Sequence, residues 1–167
     1  MIIKNFGLFW RADEVDWYPG KGARFRLLGR IGVNRPGVRL ADFRDQQGIY
    51  ILYSNHGPYY VGLTKKQGLA KRLRDHLEDK HSERWDRFSW FGFQTTNDDV
   101  DDDGVFKVVD LEEQATVDTQ AVITDIEALL IHAIGPRNVN TMNFAEAEEW
   151  VQVKLDEIDK YMEKVAV

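Results

Sequence analysis

Two tyrosines ten residues apart (Tyr50 and Tyr60), an arginine and a histidine four apart (Arg72 and His76), and a glutamate set among aliphatic residues (Glu127) are the positions able to do chemistry together. On a helix Arg72 and His76 share a face, so a guanidinium and an imidazole can converge on one anion. The planar fork of guanidinium donors matches phosphate oxygens. Tyr50 and Tyr60 fall in neighbouring strand-like runs, where a cross-strand contact is feasible. A free phenol, with a pKa of about 10, is a poor base and needs a metal, Arg72 or a lysine to lower it. Glu127 has Ile123 four residues before it and Leu130, Ile131 and Ile134 after it. Its carboxylate is therefore expected on or beside an apolar stripe, where an unpaired charge is costly and something must compensate it. Taken singly, strand tyrosines mostly pack in cores, arginine and histidine decorate a solvated helix face, and a helical glutamate pairs with a lysine. The joint order of the five argues against those readings.

The elements that must position them are legible in the pattern. GIYILY (48–53) and YYVGLT (59–64) are rich in β-branched and aromatic residues and flank the turn chemistry of SNHGP, which predicts a β-hairpin with a five-residue loop. Leu69, Leu73 and Leu77 form one stripe of an amphipathic helix over 69–79. A third strand is expected over 88–93 and a short one over 105–109. Between them, Asp98, Asp99, Asp101, Asp102 and Asp103 read as an exposed loop, lacking the glycine and distal glutamate of a calcium-binding hand. A second helix is predicted from Thr119 to Ile134, with Ile123, Ile126, Leu130 and Ile134 on its buried face and Gly135-Pro136 as its stop. The tail from Phe144 to Val165 reads as a third helix, with Trp150, Leu155, Ile158, Tyr161 and Met162 on one face. Residues 1–46, broken by glycine and proline, read as an irregular extension anchored by Trp10, Trp17 and Phe25, with short strands near 23–31.

The chain has 167 residues, 43% hydrophobic and 30% charged, which suits one folded domain with an extension and excludes a disordered one. Without cysteine, disulfides and thiolate zinc sites are excluded. No signal peptide or membrane-length apolar run is present, so the expected address is cytoplasmic and no membrane partner is expected. The net charge of -6 hides a segregation: residues 1–87 hold 17 of the 22 Lys and Arg but 10 of the 28 Asp and Glu. Such a chain can offer a basic face to nucleic acid and solvate the other. The series Arg24, Arg26, Arg30, Arg35 and Arg39 either tracks a nucleic-acid backbone or is a set of solvated charges.

Gly48-Ile49-Tyr50, with Tyr60-Val61-Gly62 beginning ten residues after Tyr50, resembles the two signature triplets of the GIY-YIG nucleases, valine standing for isoleucine. Residues 68–76 are similar to the family's first helix, in which an arginine is followed four residues later by a histidine or tyrosine. EALLIHAIGPRNVN, from Glu127, is similar to its metal-binding glutamate followed by a proline and an asparagine. Two departures stand out. The stretch between Gly62 and Arg72 is longer than in compact members, leaving the family lysine to Lys65 or Lys66. Asn138 and Asn140 straddle the expected asparagine position, and Phe144 favours Asn138.

The resemblance implies an α/β (α+β) domain over 46–143, with a small, mainly antiparallel three-stranded sheet flanked by helices. An N-terminal extension (1–45) and a C-terminal helix (144–167) would pack on it. It further implies a metal-dependent endonuclease hydrolysing DNA, with Glu127 binding Mg²⁺ (or Mn²⁺) and Arg72 stabilising transition-state charge. Tyr60 would be the base or water-orienting group, Tyr50 its hydrogen-bond partner, and His76 would position water or hold a tyrosine. Gly62 would let the backbone approach the phosphate, with Lys65, Lys66, Asn138 and Asn140 as substrate contacts. One site cuts one strand, so a double-strand break would need a homodimer or sequential nicking. The alternative is a catalytically inactive DNA-binding or complex-forming module that keeps the fold.

Overall fold

The computed structural model describes residues 2–64, 67–109, 119–135 and 143–166. Along the chain run β1 (Asn5–Arg11), β2 (Leu28–Ile31), β3 (Arg39–Asp42), β4 (Gly48–Ser54), β5 (Gly57–Thr64), α1 (Leu69–Asp75), β6 (Arg87–Gly92), β7 (Thr96–Val100), β8 (Phe106–Val108), α2 (Thr119–Ile134), β9 (Glu148–Glu149), β10 (Val151–Gln152) and α3 (Ile158–Val165). Among the described residues the strands form two five-stranded mixed sheets, in the orders β5-β4-β6-β1-β9 and β10-β2-β3-β8-β7. The expected small three-stranded sheet is therefore corrected. Its three strands exist, as the antiparallel run β5-β4-β6, but they are the edge portion of a wider sheet. The reason lies in β6, whose residues Phe88 to Gly92 are all buried and whose backbone would be left unpaired at an edge. The N-terminal segment closes that edge: β1 pairs antiparallel with β6, and β9 pairs parallel with β1.

Other expectations shift at element ends. Ser54 and Gly57-Pro58 join the β4–β5 ladder, leaving only Asn55 and His56 between the strands. The tail does not form a helix from Phe144. Trp150 donates its amide to Phe6 O at 2.8 Å and its indole Nε1 to Asn5 Oδ1 at 2.8 Å, so the chain crosses from one sheet to the other there and helix begins at Ile158. Asp98 and Asp99 lie in β7 rather than a loop. Asp101 caps the following turn, accepting from the amides of Asp103 and Val105 at 2.9 and 3.1 Å.

The arginine series is spent inside the fold rather than along a nucleic-acid track. Arg24 and Arg26 reach Asp101 at 3.3 and 3.0 Å, Arg39 pairs with Glu148 at 2.7 Å, and Arg30 lies over the Tyr161 ring. Arg35 donates to the carbonyls of Glu163, Lys164 and Ala166 at the end of α3. Three of these arginines, Arg24, Arg26 and Arg39, thus meet in space acids that lie far away in the sequence.

The first sheet has a core on each side. On one, Tyr50, Leu52, Phe88, Trp90 and Trp10 pack with Leu69, Ala70 and Leu73 of α1; on the other, Ile51, Tyr53, Phe91 and Phe6 pack with Ala128 and Ala133 of α2. α2 ends at Ile134 as predicted, but its predicted face is corrected. Ile126, Leu130 and Ile134 are exposed, while Asp125, Ala128, Ile131 and Ala133 are buried; the Ile123 side chain lies outside the described residues. The sheet already supplies bulky rings here, so alanines fit against it better than isoleucines, and interiors close-pack. The Asp125 carboxylate accepts the amides of Ile2 and Ile3 at 2.6 and 3.1 Å, and Tyr53 Oη donates to Ala133 O at 3.2 Å. Among the described residues no helix is long and apolar enough to cross a membrane.

Candidate active site

Alternation along β4 points Tyr50 at the α1 side of the sheet, opposite Gly62 on β5 and Trp90 on β6. A Cβ on Gly62 would lie 2.7 Å from Tyr50 Cε1 and closer still to its Cζ and hydroxyl, so glycine here makes room for the phenol ring. This differs from the role expected of Gly62, backbone approach to a phosphate. Gly48 serves the same close packing, since a Cβ there would meet Gly92 Cα at 3.0 Å and the Phe91 carbonyl closer still.

Leu69 and Leu73 bury one stripe of α1 and so turn the Arg72 and His76 side of the helix toward the hairpin. Tyr50 is fully buried, and its hydroxyl lies between them: 2.7 Å from His76 Nε2 and 3.3 Å from Arg72 Nε, which donates to it. Burial pushes the Tyr50 phenol up to about 12, against the opposing pull of Arg72. It is therefore protonated at neutral pH. Tyr60, half-buried, interacts with both the Tyr50 hydroxyl and Arg72. Its ring stands 5.1 Å from that of His76.

The constellation is larger than the sequence reading allowed. His76 Nδ1 is 2.7 Å from Asp79 Oδ2, and Asp79 Oδ1 accepts the amide of His81 at 2.7 Å. His81 Nδ1 meets the Tyr59 hydroxyl at 3.0 Å, and its ring lies 4.6 Å from that of Tyr60. Tyr59 and Tyr60 reach one side because the β4–β5 ladder is irregular there, with Tyr60 opposite Leu52 and Pro58 opposite Tyr53, so that Tyr59 is the extra residue of a bulge. Desolvation holds the His76 imidazole below its ordinary pKa, partly offset by Asp79. Burial pulls the Asp79 carboxyl up, but the His81 amide and His76 ring outweigh it and hold it below its ordinary value. Sequence reasoning gave His81 no role and passed over Asp79 and Tyr59. The usable signal was the i, i+3 spacing of His76 and Asp79; a bulge leaves none.

Four of the five predicted catalytic residues thus come together: Tyr50, Tyr60, Arg72 and His76. Glu127 stands apart from them. It is exposed on α2, which packs on the other face of the sheet, and it makes no hydrogen bond or ion pair among the described residues. An unengaged carboxylate is a suitable hard-oxygen ligand for a hydrated Mg²⁺. His76, Asp79 and His81 offer ligand atoms within 4.8 Å of one another, but the two Asp79 oxygens and His76 Nδ1 are already hydrogen-bonded. Lys65, Lys66, Asn138 and Asn140 lie outside the described residues. Lys71, Lys80 and Arg84 are exposed around α1 and the turn after it, and make no ion pair among the described residues.

No curated protein and no solved structure matches the chain. The family model of the GIY-YIG catalytic domain matches residues 46–140, more than half of the chain and the whole stretch from β4 to beyond α2. With both signature triplets seated on the paired strands β4 and β5 and the helical Arg72–His76 pair closing on Tyr50, the chain belongs to the GIY-YIG family.

Proposed function

We propose that the protein is a metal-dependent endonuclease that hydrolyses phosphodiester bonds in DNA at the Tyr50–Tyr60–Arg72–His76 cluster. The observation that carries this reading is the buried Tyr50 hydroxyl bridged by Arg72 and His76 beside the accessible Tyr60. Phosphodiester hydrolysis needs an activated water, stabilisation of an anionic transition state and neutralisation of the leaving oxygen. Arg72 uses Nε on Tyr50 and also interacts with Tyr60, so its guanidinium links both phenols and can present its remaining donors to phosphate oxygens. Tyr60, the more accessible phenol, meets the attacking water as base or orienting group, and Tyr50 supports it from below. Lys71, Lys80 and Arg84, exposed and in no ion pair among the described residues, offer cations to the neighbouring backbone. Glu127, whose carboxylate makes no hydrogen bond or ion pair among the described residues, would hold Mg²⁺ or Mn²⁺, an ion that would supply water activation and charge neutralisation when bound.

The test is incubation with supercoiled plasmid DNA with and without Mg²⁺, for the wild type, Arg72→Ala and Glu127→Ala. Metal-dependent nicking lost in both variants is the expected result. Nicking unaffected by either substitution refutes the assignment of these residues. Metal-independent retention of DNA without nicking favours the second reading, a binding module that keeps the fold, which the presence of a complete set of catalytic residue types disfavours.

A further inference from the structure

We infer that Asp79 is a positioning residue: it holds His76 in the tautomer whose Nε2 takes the proton of Tyr50, so that Tyr60, Tyr50 and His76 form a path for removing a proton from the hydrolytic water. The inference rests on the nuclease reading above for its consequence, and on hydrogen-bond geometry for its substance.

Both oxygens of Asp79 are committed, Oδ1 to the His81 amide and Oδ2 to His76 Nδ1, each at 2.7 Å. A carboxylate can only accept, so His76 Nδ1 carries the hydrogen. In the neutral ring Nε2 is then a bare acceptor, 2.7 Å from the Tyr50 hydroxyl, while Arg72 Nε donates to the same oxygen at 3.3 Å. Tyr50 therefore donates to His76, and its proton has one direction in which to move.

When it moves, the Tyr50 O–H bond breaks and a His76 Nε2–H bond forms. The phenolate is left against the Arg72 guanidinium, and the imidazolium against the Asp79 carboxylate. Tyr50 recovers a proton from Tyr60 as Tyr60 takes one from the attacking water, and after hydrolysis the proton on His76 returns through Tyr50 to Tyr60 and from there to solvent. The charged and titratable groups facing His76 are Arg72 from its own helix, Asp79 and His81 from the turn after it, and Tyr50 and Tyr60 from the hairpin.

The committed Oδ1 makes asparagine the informative replacement. In Asp79→Asn the amide oxygen stays with the His81 N–H, which turns the NH₂ group onto His76 Nδ1. That forces the hydrogen to Nε2 and sets two donors, Nε2–H and Tyr50 O–H, against each other. A nearly isosteric change should thus be at least as harmful as Asp79→Ala.

Nitrogen-15 NMR of labelled histidine in the full chain should show His76 with hydrogen on Nδ1 in the wild type and on Nε2 in Asp79→Asn. This readout does not require cleavage, so it stands or falls separately from the nuclease assignment. On plasmid substrate, kcat should fall about 10- to 100-fold in Asp79→Asn with KM unchanged. In Asp79→Ala the acid limb of the pH–rate profile should move to lower pH, because the carboxylate that raises His76 is gone. An unchanged His76 tautomer in Asp79→Asn, or a wild-type pH–rate profile in Asp79→Ala, reduces Asp79 to a cap of the turn and overturns the inference. Stoichiometric Zn²⁺ uptake that shifts His76 and His81 together and is lost in Asp79→Ala also overturns it, by making the three residues ligands.

Discussion

Alanine at position 62 tests the packing on which the site depends. The added Cβ would stand 2.7 Å from Tyr50 Cε1 and closer to the rest of the phenol's polar end. Carbon atoms prefer separations of about 3.5–4.0 Å, so the ring must retreat by roughly 1 Å. It has nowhere to go: Tyr50 is fully buried, pairs in the ladder with Gly62 and Trp90, and is tied by its hydroxyl to His76 at 2.7 Å. Overpacking of this kind costs about 1–3 kcal/mol. For a chain of this size that lowers the melting temperature by roughly 3–10 °C. A displacement of about 1 Å in the reacting groups can cost about 100-fold in rate. Thermal unfolding and plasmid nicking on Gly62→Ala measure both, with Leu63→Ala, an exposed neighbour at 53% accessibility, as the control. A Gly62→Ala protein that melts with the wild type and loses only DNA affinity refutes the packing role. It would restore the role expected from sequence, close approach of the backbone to a phosphate.

Tyr50→Phe should fold but lose about 1–3 kcal/mol, because His76 Nε2 and Arg72 Nε lose their shared partner. Since the folded protein raises the Tyr50 phenol to about 12, it favours the protonated form; the resulting stability is complete below pH 10 and is lost between pH 10 and 12. That loss is on the order of 2 kcal/mol in urea unfolding between pH 9 and 11.5, and an equal loss in Tyr50→Phe would contradict it. Asp125→Ala removes the acceptor for the Ile2 and Ile3 amides and should cost about 1–3 kcal/mol, with hydrogen exchange at Ile3 accelerated; unchanged protection there would show that β1 does not depend on α2.

Legibility followed the range of the interactions involved. The hairpin and α1 were readable because their cores are local: Tyr50 meets Gly62 across one ladder, and Leu69 and Leu73 repeat at helical spacing. The sheet's true width was not, because the partner that β6 needs is supplied by Asn5 to Arg11, some eighty residues earlier, in a segment whose register slips between Gly7 and Trp10. The face of α2 was misread because periodicity ranks helix sides by hydrophobicity alone. Here the small residues Ala128 and Ala133 match a sheet crowded with Phe6, Tyr53 and Phe91, and Ile126, Leu130 and Ile134 are left outside. The inward Asp125 looks wrong on any hydrophobic scale and is right only because two N-terminal amides reach it.

The same distinction explains why the two triplets are informative while their chemical partners are not. Gly48 and Gly62 each mark a place where a side chain would collide, one with β6 and the other with the Tyr50 ring. The triplets therefore record the space around one buried phenol, and any sequence that keeps them keeps that phenol's pose. Arg72 and His76 come with it because the end of α1 and its C-cap carry them four residues apart. Asp79, His81 and Tyr59 depend instead on a turn and a bulge, which many sequences satisfy, so nothing in residue type distinguishes them from solvated neighbours. What the phenol's hydroxyl can do is decided by those less legible residues. A chain can carry intact triplets and still differ in proton handling, and the hydrogen-bond partners of the helix histidine are where such a difference would arise.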